Sequence, residues 1–174
     1  MRIQLRQPRQ FPVVDGSNNT GGGRRHFMAL HRFRRIAQAT LRHALDSGFG
    51  EAPIAGADGV LLVTPEYNGS LPGVFKNAVD WTTRPGSDIA RVWGGRPVAV
   101  IGASPGGFGT VLSQQAWLPV FRKIGALQWH GATLMVSRAG SVFDAEGRMT
   151  DEKVRGQLRD YLQAFAAFAA SRRD

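Results

Sequence analysis

Two loops carry the residues in this chain that are equipped for chemistry. The first reads Pro65-Glu66-Tyr67-Asn68-Gly69-Ser70 and the second Ser104-Pro105-Gly106-Gly107. Each follows an apolar run, Gly59 to Val63 before the first and Pro97 to Ala103 before the second, and each leads into a helix-patterned segment. In open parallel sheets, ligands sit at the carboxyl ends of the strands. What these loops offer there is backbone N–H and C=O groups for a flat polar ring, with Tyr67 available to pack or hydrogen-bond. Gly106 and Gly107 allow the backbone to approach a ligand closely.

Other chemistries are excluded by what the chain lacks. It contains no cysteine, which removes disulfides, thiolate catalysis and Cys-ligated zinc together. Any redox chemistry must therefore come from a bound cofactor. The histidines are His26, His31, His43 and His130, and they form neither a metal-ligand cluster nor part of a Ser-His-Asp set. The glycine-rich loop lacks the Gly-Lys-Ser/Thr ending of a phosphate-binding loop, and it is not the spaced dinucleotide pattern. Simpler readings stand beside the functional one. Asn68-Gly69 is a turn former in its own right, and the second loop is also explained as a tight strand-to-helix turn. Asp80 and Trp81 read equally as a helix-end carboxylate and a core aromatic. Trp93, Trp117 and Trp129 read as packing or subunit-contact residues.

The elements that must position these loops follow from periodicity. At 174 residues and 43% hydrophobic content, one globular domain is expected. No apolar run approaches a bilayer-spanning length, nothing argues for secretion, and the expected location is cytoplasmic. The pattern predicts strands over 58–64, 97–103 and 133–136, and helices over 72–81, 109–125 and 151–170. The second helix is expected to break or kink at Pro119, and Thr150 is the expected N-cap of the third. Strands alternating with helices mean an α/β sandwich with a parallel sheet.

The full run Thr64-Pro65-Glu66-Tyr67-Asn68-Gly69-Ser70-Leu71-Pro72-Gly73-Val74-Phe75-Lys76-Asn77-Ala78-Val79-Asp80-Trp81 is similar, nearly letter for letter, to the flavin-contacting segment of the NAD(P)H-dependent FMN reductase family. That family includes bacterial chromate and quinone reductases. Ser104-Pro105-Gly106-Gly107-Phe108-Gly109-Thr110 resembles its second flavin-ring loop, and Phe143 to Glu152 resembles the turn before its last helix. The resemblance runs from about Ala55 to the C-terminus. It implies a flavodoxin-like three-layer α/β/α sandwich, FMN as cofactor, and NADPH or NADH as co-substrate. It implies FMN contacts at Pro65, Glu66, Tyr67, Asn68, Gly69, Ser70, Ser104, Pro105, Gly106 and Gly107, mostly through backbone atoms. No catalytic side chain is implied, since the flavin does the chemistry. The implied reaction is ping-pong hydride transfer to a small-molecule acceptor, whether a quinone, free flavin or an oxidant such as chromate. The implied assembly is a homodimer or homotetramer.

The first fifty residues depart from that pattern. They hold nine arginines against Asp15 and Asp46, whereas thirteen basic residues nearly balance eleven acidic ones over 51–174. In the family, the first strand leads into Gly-Ser-x-Arg-x-x-Ser-x-Asn, which holds the FMN phosphate. Here Gly16-Ser17 follows the short, proline-containing Phe11-Pro12-Val13-Val14, and Asn19, Gly22 and Arg24 stand where the family has arginine, serine and asparagine. The N-terminal strands are thus expected to be degenerate or missing, and residues 24–45 show the spacing of a basic amphipathic helix. Two readings of this region stay open: a divergent phosphate loop in which Ser17 still contacts FMN, or sequence foreign to the domain. The expected division is an Arg-rich region over 1–50 and an FMN reductase domain over 51–174. Two other functions also stay open, a flavodoxin-like relic that does not hold FMN and a basic nucleic-acid-binding protein. Nucleic acid and membrane are not the expected partners.

Overall fold

The computed structural model describes the backbone strand Ile36–Ala39 (β1), residues 54–145 and residues 147–172. Its centre is the pair of strands β2 (Gly59–Val63) and β3 (Pro97–Ala103), which run parallel with Val60 opposite Val98 and Val63 opposite Ile101. Both are almost continuously buried, as parallel strands covered on two faces must be. On the far side of β3 lie β4 (Leu127–Gln128) and β5 (Leu134–Val136), paired with its beginning and its end respectively. They are two halves of one edge strand, interrupted over 129–133.

Alternate residues of the sheet face opposite layers. On one side Val60, Leu62, Val98 and Val100 pack with Phe75 and Val79 of α1 (Gly73–Trp81), Val92 and Trp93 of α2 (Ile89–Trp93), and Trp117, Phe121 and Ile124 of α3 (Val111–Ile124). On the other, Leu61, Ala99, Ile101, Leu134 and Val136 meet Tyr161 and Phe165 of α4 (Glu152–Ala170). The result is the expected flavodoxin-like three-layer sandwich.

Three local details differ from expectation. Where helical spacing was read over 24–45, β1 pairs parallel with β2 from Ile36↔Gly59 to Ala39↔Leu62. Tertiary pairing along the open edge of β2 overrides local periodicity there. With β2, β3 and the β4–β5 edge standing third to fifth in the order 2-1-3-4-5, the place beside β2 belongs to the first strand of that order, and Ile36–Ala39 occupies it. The candidate strand Phe11 to Val14 lies outside the described residues. Second, α3 runs through Pro119 without interruption. Pro119 and Gln115, the residue whose carbonyl loses its donor, are both exposed, so water meets that carbonyl. Third, the cap of α4 is Asp151, whose Oδ1 accepts from Val154 N at 3.0 Å. The Thr150 hydroxyl donates instead to Val142 O at 3.2 Å.

At the amino end of β3 the Arg96 guanidinium donates to the carbonyls of Ala55, Ala57 and Val92, and burial lowers its pKa against the opposing pull of Asp58. In the second layer the buried Tyr161 hydroxyl donates to Val100 O at 3.0 Å, and burial pushes its pKa up to about 12. The phenol titrates near 10 when unfolded, so its stabilising effect is complete below pH 10 and is lost as pH rises towards 12. Tyr161→Phe should therefore cost about 1 kcal/mol at neutral pH and flatten the fall in stability across that alkaline window. Urea midpoints measured from pH 8 upward check both effects.

Candidate functional site

Loop one leaves β2 through Thr64, whose amide extends the ladder by donating to Ile101 O at 2.8 Å. Pro65 and Glu66 then lead into a tight turn. Tyr67 and Ser70 exchange both backbone hydrogen bonds at 3.0 Å, while Asn68 and Gly69 take φ of 51° and 72°. Two successive positive φ values define the mirror-image hairpin turn, which strongly favours Asn-Gly. Tyr67 stands 54% exposed at its mouth.

Loop two leaves β3 through Ser104. Its hydroxyl donates to Gly109 O at 2.6 Å, its amide donates to Val136 O, and its carbonyl accepts from Ala139 N. Ser104 is thus a clasp that closes the loop on itself and on β5. Arg138, at a positive φ of 49°, donates its amide to Gly106 O at 3.0 Å and holds the loop from the side. Pro105, Gly106, Gly107 and Phe108 are all exposed. Among the described residues the amides of Gly106, Gly107 and Phe108 donate to no hydrogen bond, nor do those of Glu66, Asn68 and Gly69.

The two loops are joined beneath this surface. The Glu66 carboxylate accepts from Leu112 N at 2.8 Å and Ser113 N at 3.0 Å, in the first turn of α3. Those amides have no acceptor within their own helix, and the N-cap residue Thr110 provides no side-chain cap. Deeper still, the hydroxyls of Thr64 and Ser113 lie 2.9 Å apart, and Trp117 Nε1 approaches Thr64 Oγ1 at 3.4 Å. The backbone of loop one also lies against β3, since a Cβ on Gly102 would stand 2.1 Å from Thr64 O.

The expected contact residues of both loops therefore gather at the carboxyl ends of β2 and β3, with the exception of Ser17, which lies outside the described residues. Glu66 and Ser104 turn their polar side chains into the scaffold, while Asn68, Gly69, Gly106 and Gly107 keep their amides unpaired. Leu112, Ser113 and Arg138 support the site but carried no local sequence signal for it, and Thr64, which opens the first matching run, was not among the expected contacts. The fit to a flavin ring is chemical: its carbonyl-rich edge needs N–H donors, and two adjoining loops of unpaired amides supply them. Among the described residues no group of three or more His, Asp and Glu is placed to hold a metal, and no helix is long and apolar enough to cross a membrane.

Known proteins resemble this chain in sequence and fold. Residues 51–141 match the model of the NADPH-dependent FMN reductase family. A 2-hydroxy-1,4-benzoquinone reductase from Burkholderia sp is 40% identical over 120 residues, covering 69% of this chain and 64% of its own. An NAD(P)H-dependent FMN reductase of Pseudomonas aeruginosa is 40% identical over 111 residues, covering 64% and 58%. The solved structure of FerB, a flavoenzyme NAD(P)H:(acceptor) oxidoreductase from Paracoccus denitrificans, superposes with a TM-score of 0.62 at 35% identity over 70% of this chain and 66% of that one. The chain spans about three fifths of the length of the curated relatives it matches.

Proposed function

This chain belongs to the NADPH-dependent FMN reductase family, and from that premise we propose that it is an NAD(P)H-dependent oxidoreductase holding FMN against the two braced loops and reducing quinones, free flavin or oxidants such as chromate. The observation that carries the reading is the set of unpaired amides at Glu66, Asn68, Gly69, Gly106, Gly107 and Phe108, at the carboxyl ends of β2 and β3. When bound, FMN supplies the hydride chemistry, accepting from a nicotinamide and giving to an acceptor.

The chain's own part is placement and electrostatics. Amides fixed by the Tyr67–Ser70 turn and the Ser104 clasp stabilise negative charge on a ring edge without rearranging. Pro65, Ser70 and Pro105 set the course of the backbone through the same loops. Residues 51–174 are assigned to the reductase domain together with β1, which shares its sheet. With Ile36–Ala39 in the first-strand place, Ser17 of the Arg-rich region over 1–50 precedes that strand and is not assigned to the phosphate. A nicotinamide and an acceptor occupy one open place in turn, which is a ping-pong scheme. Tyr67, Val74, Trp81, Phe108 and Leu112 leave large apolar side chains exposed, and a second copy of the chain, in a homodimer or homotetramer, is the cover we assign to them.

Purified protein is expected to be yellow, or to quench FMN fluorescence with a micromolar or tighter dissociation constant. Double-reciprocal plots at several acceptor concentrations should be parallel. Intersecting lines would replace the shared place with a ternary complex. Absence of any quenching or thermal shift at high micromolar FMN would leave a flavodoxin-like relic.

A further inference from the structure

We propose that Glu66 is a positioning residue, whose carboxylate sets the separation of the two ligand loops by gripping the first turn of α3. The inference rests on the reading of those loops as the FMN site. Glu66 precedes the Asn68-Gly69 turn of loop one, while Leu112 and Ser113 follow directly on loop two. One oxygen, Oε2, accepts from both amides. It thereby ties residues 46 and 47 positions apart in the chain, and the positive end of the helix strengthens the tie. The neighbouring contacts make it directional. The buried Thr64–Ser113 hydroxyl pair fixes the base of the same junction. Loop two is held from its other side by Gln114, whose amide donates to Thr110 Oγ1 and to Leu134 O of β5. Only the side of loop two facing loop one depends on Glu66. The carboxylate's task is thus reach and acceptance, with its oxygen turned to the helix.

That assignment separates three variants. Glu66→Gln keeps an acceptor oxygen at full reach. Glu66→Asp keeps the charge but withdraws the oxygen by about 1.5 Å, one carbon–carbon bond. Glu66→Ala removes both. Amide exchange and amide chemical shifts are read by NMR on the full-length chain without FMN, and dissociation constants by FMN fluorescence quenching. In the alanine and aspartate variants, protection at Leu112 and Ser113 should fall about tenfold or more as two charge-assisted bonds are lost. The Gly106 and Gly107 signals should move, and the FMN dissociation constant should rise about tenfold. Glutamine should recover most of each change. Three results would each overturn the proposal: unchanged protection at Leu112 and Ser113, stationary Gly106 and Gly107 signals despite lost protection, or aspartate outperforming glutamine. If the alanine variant does not fold, the glutamine and aspartate pair decides alone. If the unsubstituted chain does not bind FMN, the functional reading fails, and the amide signals still decide whether Glu66 positions loop two.

Discussion

Gly102→Ala should lower folding stability by about 3 kcal/mol, the upper end of what overpacking costs, and should disturb the ligand loops in the same stroke. A Cβ there would sit 2.1 Å from Thr64 O, 2.5 Å from Thr110 Oγ1 and 2.8 Å from Thr110 Cγ2. None of these atoms has room to retreat. Thr64 is buried and bonded into the ladder by its amide, and Thr110 is fully buried at the start of α3. The strain is relieved only by parting both loop one and the start of α3 from β3, which disturbs the Glu66 and Thr64 contacts that join them. Chemical denaturation with circular dichroism measures the cost, and a loss under about 1 kcal/mol would contradict the close approach.

The second large effect is expected at Trp117. It is fully buried, meets Phe75 edge-on with centroids 5.1 Å apart, stacks on Phe121 at 5.6 Å, and points its indole N–H towards Thr64. Trp117→Ala should cost about 3–5 kcal/mol, as large aromatic truncations in cores do. Part of that loss is the cavity left beneath loop one, so ligand affinity should fall with stability. Trp117→Phe keeps an aromatic ring among the other two and gives up only the indole edge, so its loss should be clearly smaller. Equal losses for the two variants, read from urea midpoints at constant slope, would mean that the indole N–H contact rather than ring packing dominates.

Much of this architecture is written locally in the chain. Apolar runs marked off by Pro65, Pro72 and the glycines place β2, β3 and α1 within a residue or so, and Asn68-Gly69 specifies its turn. What eluded the sequence is whatever depends on distant partners. The strand Ile36–Ala39 exists through its pairing with β2, so its own helical spacing misleads. At five residues, α2 is too short to show a period. Trp81 read as a core aromatic, yet it is 67% exposed. The buried face of α1 is set by Phe75 and Val79, four apart, and a residue two further on falls about 200° round the helix. Asp80 pairs with Lys76 one turn earlier, at 2.6 Å. The role of Glu66 was hidden for the same reason as β1: no local pattern announces a carboxylate whose donors are 46 and 47 residues away.

The division of labour within the loops also bears on how the protein would respond to directed evolution. The outward hydrogen-bonding groups belong to the main chain, and the side chains fixed to the scaffold are few: Thr64, Glu66, Ser104 and Ser113. Positions 67, 105 and 108 are exposed on that frame, so a mutational library can reshape the rim there while the unpaired amides proposed to meet the ring persist. Diversity at 64, 66, 102 and 113 would instead dismantle the frame, making these the positions to hold constant when the rim is randomised.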